Sequence, residues 1–331
     1  MSESQLRWEL ADASSPQSTL FDDSIFEREP GRGEFRGLEF LHVRAKSIIN
    51  DLGGTPYGFR YTINAYRGCS HACNYCFARP THAYLDLNVG DDFDRKIVVK
   101  VNAVERVRAE LHPKRWAGEP IAMGTNTDPY QRCEGKYHLT EGIIEALTER
   151  SNAFSILTKS TLVLRDIDLL VEASKHADVR VNFSIGTLDD EVWRMTEPGT
   201  PHPRQRVKAV KTLNEAGVAC GVLMAPIIPG LSDRPEQLEE VVQSCKDAGA
   251  LSISPVLLHL GGTTKDIFYE RVGAERPDLI PMYKRMYGAR KYAAKADRDR
   301  TTAMVNKMIG KRVSIRPPAP RPAPPAQLNL L

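Results

Sequence analysis

The sequence predicts an α/β fold, a partial (β/α)6 barrel with a C-terminal helical extension and disordered termini. Three observations carry that expectation. Short β-rich runs alternate with stretches of helical spacing about six times. The later runs read as the apolar runs expected of a sheet covered on both faces. The two ends lack any periodic apolar pattern.

Residues 1–39 are polar, rich in Ser, Asp, Glu, Gly and Arg, and offer too little apolar surface to offset the entropy of ordering. They are expected to be largely disordered. Residues 40–262 form the expected barrel core. Its β-rich runs are Tyr61 to Tyr66, Ile121 to Gly124, Phe154 to Thr158, Val179 to Ile185, Ala219 to Ala225 and Ser252 to Leu257. Between them lie helical triplets: Ala103, Val107, Leu111; Ile143, Ile144, Leu147; Ile167, Leu170, Val171; Val207, Val210, Leu213; Leu238, Val241, Val242. Alternation of this kind forces parallel strands with crossover helices, and chemistry then gathers at the carboxyl ends of the strands, where the βα loops converge.

Residues 263–313 change to basic helices with Tyr283, Met286, Tyr287 and Tyr292 as packing residues, and residues 314–331 are a proline-rich tail ending in QLNLL. The whole chain carries a formal net charge of only +3, so it is not a polycation. The stretch from Lys265 to Arg316 holds 14 Lys plus Arg against 6 Asp plus Glu, a local +8 suited to phosphate if it gathers on one face.

With 331 residues, 41% apolar and 26% charged, the chain can bury a sizeable core. No window approaches the roughly 18 apolar residues of a membrane span, and Met1 to Leu20 lacks the order of a secretory signal. A cytoplasmic protein with no membrane partner is expected. Six cysteines, three of them within eight residues and the others isolated at Cys133, Cys220 and Cys245, suit metal ligation better than a disulfide framework.

The first β-rich run, YTINAY, leads into RGCSHACNYCFARP. Cys69, Cys73 and Cys76 have the spacing C-x3-C-x2-C, which lets one short loop wrap a cuboidal cluster, ligate three irons and leave the fourth without a protein thiolate. A structural zinc site needs four closed ligands, so zinc would require His71 or a distant residue.

Cys69, Cys73, Tyr75 and Cys76 resemble the C-x3-C-x-aromatic-C signature of the radical S-adenosylmethionine (SAM) superfamily. The resemblance implies a 4Fe-4S cluster on the three cysteines and SAM on the open iron. It implies reductive cleavage of SAM to methionine and a 5′-deoxyadenosyl radical that abstracts hydrogen from a substrate, with an electron donor such as flavodoxin or ferredoxin. Further stretches are similar to the spore photoproduct lyase-like branch: TKSTLVLRDIDLL after the third run, the EPG of Glu197 to Gly199, and APIIPGLSD of Ala225 to Asp233. They look closer still to an uncharacterised actinobacterial-type radical SAM subgroup. By that likeness Tyr75, Thr127, Lys159 and Ser184 belong to the SAM site, the last three hydrogen-bonding its amino acid moiety. The other reading of these Ser and Thr residues is helix capping or loop satisfaction.

Two departures bear on the reaction. The lyase-like branch carries a cysteine two residues before its SAM-binding hydroxyl residue and a tyrosine after the third cluster cysteine; Thr125 and Phe77 stand there instead. Neither can return hydrogen to a product radical as a thiol or phenol would. Cys133, on the same loop, is the candidate donor, set against the ordinary role of an isolated buried cysteine. The substrate class is left between a nucleic-acid base, as in DNA repair, and a peptide or protein, beside a non-enzymatic iron–sulfur or zinc-stabilised binding protein. Finally, Gln327 to Leu331 resemble the QLxLF-type peptides that dock on bacterial sliding clamps, which implies the clamp as a partner.

Overall fold

The computed structural model describes residues 25–53 and 59–310. The proline-rich tail and the QLNLL peptide lie outside them. The chain order runs through β1 (Glu27–Pro30), β2 (Glu39–Val43), β3 (Ile49–Asp51), β4 (Tyr61–Ile63), β5 (Tyr66–Arg67), α1 (Asp91–Arg95), β6 (Lys96–Lys100), α2 (Ala103–Glu110) and β7 (Ile121–Met123). It continues through α3 (Glu134–Tyr137), α4 (Leu139–Glu149), β8 (Phe154–Thr158), α5 (Ile167–His176), β9 (Val179–Ser184), α6 (Asp190–Thr196), α7 (Pro203–Glu215), β10 (Ala219–Ile227), α8 (Pro235–Asp247) and β11 (Ile253–Leu257). Three helices follow, α9 (Thr263–Glu275), α10 (Ile280–Tyr287) and α11 (Lys295–Ile309).

Six strands stand side by side in sequence order, β4, β7, β8, β9, β10 and β11, every neighbouring pair parallel. This is the partial (β/α)6 barrel, and β3 closes one edge in antiparallel register with β4. All six expected strands are present, and the five helical triplets fall in or beside α2, α4, α5, α7 and α8. One face of the central strands is apolar and closed, with Ile156, Val181, Phe183 and Val222 in register and all essentially inaccessible, while the opposite face is more open, with Ser155, Leu157 and Asn182 half-buried.

The run Tyr61 to Tyr66 divides in the structure. Its first half is barrel strand β4; its end turns away as β5 and joins a second, four-stranded sheet of order β1, β2, β6, β5. Ordered structure therefore begins well before Phe40, against the expectation of disorder through residue 39: β1 pairs antiparallel with β2, matching Glu27 to His42 and Pro30 to Glu39. Backbone pairing orders a polar segment that has no apolar pattern of its own, because ladder hydrogen bonds do not depend on side-chain polarity. The short turn into β5 delivers the chain directly to Cys69.

The C-terminal helices are more than an appendage. α11 packs on β11 and α8 and so completes the sixth βα unit, while α9 packs against α6 and the segment after the cysteines. Phe268, Val272, Tyr283, Tyr287 and Val305 are buried, with Tyr283 and Tyr287 hydroxyls donating to the Pro229 and Leu258 carbonyls, both at 2.8 Å. Among the described residues no helix is long and apolar enough to cross a membrane.

Fully burying each such side chain is worth about 1.5–3 kcal/mol, so together they supply on the order of 10 kcal/mol of gross burial, comparable with the net stability of a whole domain. A chain ending at Gly262 should accordingly fail to unfold cooperatively in urea, whereas the intact chain should show a single sigmoidal transition by circular dichroism.

Candidate active site

The cysteine loop is built almost wholly from backbone held at fixed points. The Thr127 hydroxyl donates to the Gly68 carbonyl at 2.7 Å, and Gln131 brackets the same turn, its amide nitrogen donating to Gly68 and its oxygen accepting from the Ser70 N–H. On the far side, the fully buried Arg79 donates twice to the Cys73 carbonyl, at 3.1 and 2.9 Å, and pairs with Asp94 at 2.7 Å. Arg271, from α9, reaches Asp94 and Asn74, and the Thr264 hydroxyl donates to the Cys76 carbonyl.

Beneath the loop runs the segment after α6. Gly199 N–H donates to the His71 carbonyl at 3.0 Å, and a Cβ on Gly199 would stand 2.1 Å from the Ser70 carbonyl oxygen. Only glycine permits that approach. Asn74 N–H donates to Thr196, which fastens the other end of the segment. The EPG match therefore has a mechanical meaning: the glycine lets the segment touch the loop, and the glutamate beside it enters the site.

One cavity gathers Cys69, Cys73, Tyr75 and Cys76 with residues following the barrel strands: Gly124 to Asp128 after β7, Lys159 after β8, Ser184 at the end of β9, Ala225 and Pro226 in β10, and Leu258 and His259 after β11. The strand-end expectation thus holds on five successive strands. Gly124 makes its turn possible, with φ of +84° and an added Cβ only 1.9 Å from the Leu157 carbonyl oxygen.

Charge within the site is paired in layers. Glu197 and Arg206, both nearly inaccessible, form an ion pair at 2.6 Å, and the Tyr75 hydroxyl donates to the same carboxylate. Arg206 also donates to the Ser184 carbonyl at 3.0 Å. Burial alone would raise the Glu197 pKa; Arg206 and Lys159, with the Tyr75 hydrogen bond, overcome that and hold it below its ordinary value of 4.5. Lys159 shows the mirror balance. Burial works to lower its pKa, but the Glu197 carboxylate and the Cys73 side chain win, and the net shift is upward. Its ammonium sits 5.6 Å from the Tyr75 ring centroid and, among the described residues, forms no hydrogen bond or ion pair.

Asp128 anchors the opposite wall. Its carboxylate accepts from the Thr158 hydroxyl and the Lys159 N–H, both at 2.7 Å, and lies 3.3 Å from His71 Nδ1. Burial would raise its pKa, yet His71 and these donors bring it below the usual carboxylate value. His71 is thereby turned toward a carboxylate. The Ser184 hydroxyl donates to the Ala225 carbonyl at 2.7 Å, and Thr127, besides its bond to Gly68, accepts from Gln131. Both oxygens keep acceptor capacity, and Thr127 is in addition a strut of the cysteine loop.

The donor set suits a cluster better than a single ion. Among the described residues no three His, Cys, Asp or Glu side chains converge to hold one metal. Yet the three loop thiols line one cavity, and each lies close enough to another for its charge to be felt. Separate irons of a cubane, each taking one thiolate, need that spread arrangement, whereas a mononuclear zinc site would need convergence. Burial chiefly raises the thiol pKa values, that of Cys73 to about 12, so ligation must displace protons. Cys133, the candidate hydrogen donor, does not join them: it is fully buried in the main core and is not among the residues lining the cavity. The sequence reading also passed over Asp128, Arg206, Arg79 and His259. Each is an ordinary charged or polar residue until its partner from a distant element is known.

The Radical SAM superfamily model matches residues 63–245, more than half of the chain, and the protein belongs to that superfamily. An uncharacterized protein of Mycobacterium tuberculosis is 42% identical over 279 residues, covering 84% of this chain and 82% of its own. Among solved structures, a variant of spore photoproduct lyase with dinucleoside spore photoproduct superposes with a TM-score of 0.61 at 20% identity, covering 85% of this chain and 82% of that one. Another, with bound AdoMet and the dinucleoside, has a TM-score of 0.58 at 20% identity and covers 78% of this chain and 75% of that one. At that identity the likeness is one of fold.

The buried pair sets a test of the site's architecture. Because the folded pKa of Glu197 lies below its ordinary 4.5, the pair contributes stability above that pH and loses it as pH falls through the depressed value. Glu197→Gln leaves Arg206 buried without its counter-charge and should cost about 3–5 kcal/mol at pH 7. Urea titrations at pH 7 and at progressively lower pH should show the variant's deficit narrowing on the acid side.

Proposed function

We propose that this protein is a radical SAM enzyme holding a 4Fe-4S cluster on Cys69, Cys73 and Cys76 and reductively cleaving SAM, with a reduced flavodoxin or ferredoxin as electron source. The observation that carries this reading is the meeting of three thiols from one loop with Lys159 and Ser184, at the carboxyl ends of parallel strands, in a single cavity. Bound there, cluster and SAM would supply a 5′-deoxyadenosyl radical for hydrogen abstraction from the substrate.

The chain's own residues do the positioning. Lys159 is a half-buried, protonated cation with no carboxylate paired to it among the described residues, and suits the carboxylate of SAM. Ser184, its proton already directed to Ala225, and Thr127, its proton directed to Gly68, offer acceptor lone pairs to an ammonium. Tyr75 is held by Glu197 and forms one wall of the cavity beside Lys159. The substrate we assign is a nucleic-acid base, as in DNA repair. In support stand the fold shared with a lyase solved with a dinucleoside photoproduct and the excess of basic residues in the C-terminal helices. With Thr125 and Phe77 in the cavity where a thiol and a phenol would serve a hydrogen relay, and Cys133 outside it, the outcome of the reaction is distinct from the lyase relay.

Anaerobically reconstituted protein, given dithionite and SAM, should release 5′-deoxyadenosine and show a reduced-cluster paramagnetic signal; an inert cluster, or bound zinc, would sink the reading in favour of a structural metal protein. Cys73→Ala should abolish both signals. Lys159→Met should retain the cluster signal but weaken SAM binding about 10- to 100-fold by calorimetry, the worth of one charge-assisted hydrogen bond.

A further inference from the structure

The mouth of the cavity carries aromatic rings that the SAM chemistry above does not employ. Phe77, directly after Cys76, is 39% exposed, and Val256 on β11 is 38% exposed; among the described residues these are two of only three large apolar side chains so open to solvent, and both line this cavity. The Phe77 ring stands 5.9 Å from His259, tilted by 37°, and His259 stands 5.4 Å from Tyr292, tilted by 32°. Among the described residues most other ring pairs meet edge-on, at 62–82°, as core aromatics do. Here three rings run in series from the exposed Phe77 through His259 to Tyr292, each inclined to the next by well under 45°.

The ladder is held in place by backbone. His259 and Tyr292 form an antiparallel bridge, Leu260 N–H donates to the Lys291 carbonyl at 2.8 Å, and the Lys265 ammonium holds the Gly288 and Arg290 carbonyls. Burial lowers the His259 pKa, so at neutral pH its ring is an uncharged face. At the Tyr292 end the exposed Arg298 guanidinium sits 5.5 Å over the ring, and Arg290, two residues before Tyr292 in the chain, is exposed as well; neither pairs with a carboxylate among the described residues. Several cations of the same region are engaged, Arg271 with Asp91 and Asp94, Arg276 with Asp278, Lys295 with Asp299 and Arg300 with Asp297, whereas Arg298 is left to the aromatic ring.

Flat faces flanked by cations are the footprint of an unstacked base on an anionic backbone. We propose that Phe77, His259 and Tyr292 form a stacking platform that receives a nucleobase of a single nucleic-acid strand at the cavity mouth, with Arg290 and Arg298 on its phosphates. The proposal rests on the radical SAM reading of the cavity. It adds the residues that select the substrate.

The test uses full-length, anaerobically reconstituted protein and a fluorescein-labelled single-stranded thymidine oligonucleotide, followed by anisotropy, with SAM affinity measured in parallel. Tyr292→Leu should weaken oligonucleotide binding about tenfold, a typical loss per stacked base, while its SAM dissociation constant holds, and Phe77→Leu should weaken oligonucleotide binding by a similar factor. Tyr292→Phe should stay within about twofold, since stacking needs the ring and not the hydroxyl. Because Phe77 is solvent-exposed, its variant tests the platform even if Tyr292→Leu folds poorly. Absence of saturable oligonucleotide binding by the unaltered protein, or affinity indifferent to both leucine variants, overturns the proposal. So does a loss of SAM affinity in its place, which would make the ladder the seat of adenine. So does stronger binding of a tyrosine-containing basic or acidic peptide than of the oligonucleotide. The SAM-cleavage reading fails separately, by the absence of 5′-deoxyadenosine from the unaltered protein, whatever the oligonucleotide does.

Discussion

The contact on which the site depends is the approach of Gly199 to the backbone of Ser70 and His71. A cysteine loop of eight residues has no regular hydrogen bonding of its own, so its shape must be imposed from outside. Gly199 imposes it from below, where any side chain would collide with the Ser70 carbonyl, and brings Glu197 within reach of Tyr75. Arg206, one turn into α7, then neutralises that glutamate and reaches the Ser184 carbonyl at the end of β9. A single glycine thus couples the loop to a barrel strand through a buried ion pair. The pair need not add net stability, since two desolvated charges are expensive. Its effect is to tie Tyr75, Ser184 and the carboxylate facing Lys159 to one another.

Much of the barrel was readable from sequence because each strand carries buried apolar residues and is followed by a helical spacing. β8, β9, β10 and β11 coincide with the expected runs. The cysteines were singled out by their spacing, and Lys159 and Ser184 by likeness to the lyase-like branch; all of them line the one cavity. The second sheet was missed because its cues are weak. β1 is a polar quartet recognisable only by its pairing with β2, and β6 lies between two helices, α1 and α2, where Ile97, Val98 and Val99 resemble any short apolar run.

The residues that reasoning from sequence overlooked share one property. Asp128, Arg206 and Arg79 are charges sunk in the structure whose partners lie on other elements, His71 and the Lys159 backbone for the first, Glu197 for the second, Asp94 and the Cys73 carbonyl for the third. A buried charge is intelligible only with its counter-charge, and sequence separation hides the pair. The same limit acted in the opposite direction on the C-terminal helices. Their formal +8 suggested a basic face, but many of those cations pair within the helices or brace neighbouring carbonyls, and net charge over a segment carries no information on which side chains remain available.

The cavity itself is divided in a way that matches radical chemistry. Its inner part is polar, with Glu197, Arg206 and Asp128 fixed by ion pairs and hydrogen bonds and the Lys159 ammonium beside the Tyr75 ring. Its outer part is apolar and aromatic, reaching solvent at Phe77 and Val256. A reactive carbon radical must be generated where no water or mobile side chain can quench it, and it must face the substrate directly. Fixed charges meet the first need by holding polar groups still, and the apolar rim, which reaches solvent at Phe77 and Val256, serves the second by leaving that side of the cavity accessible from outside.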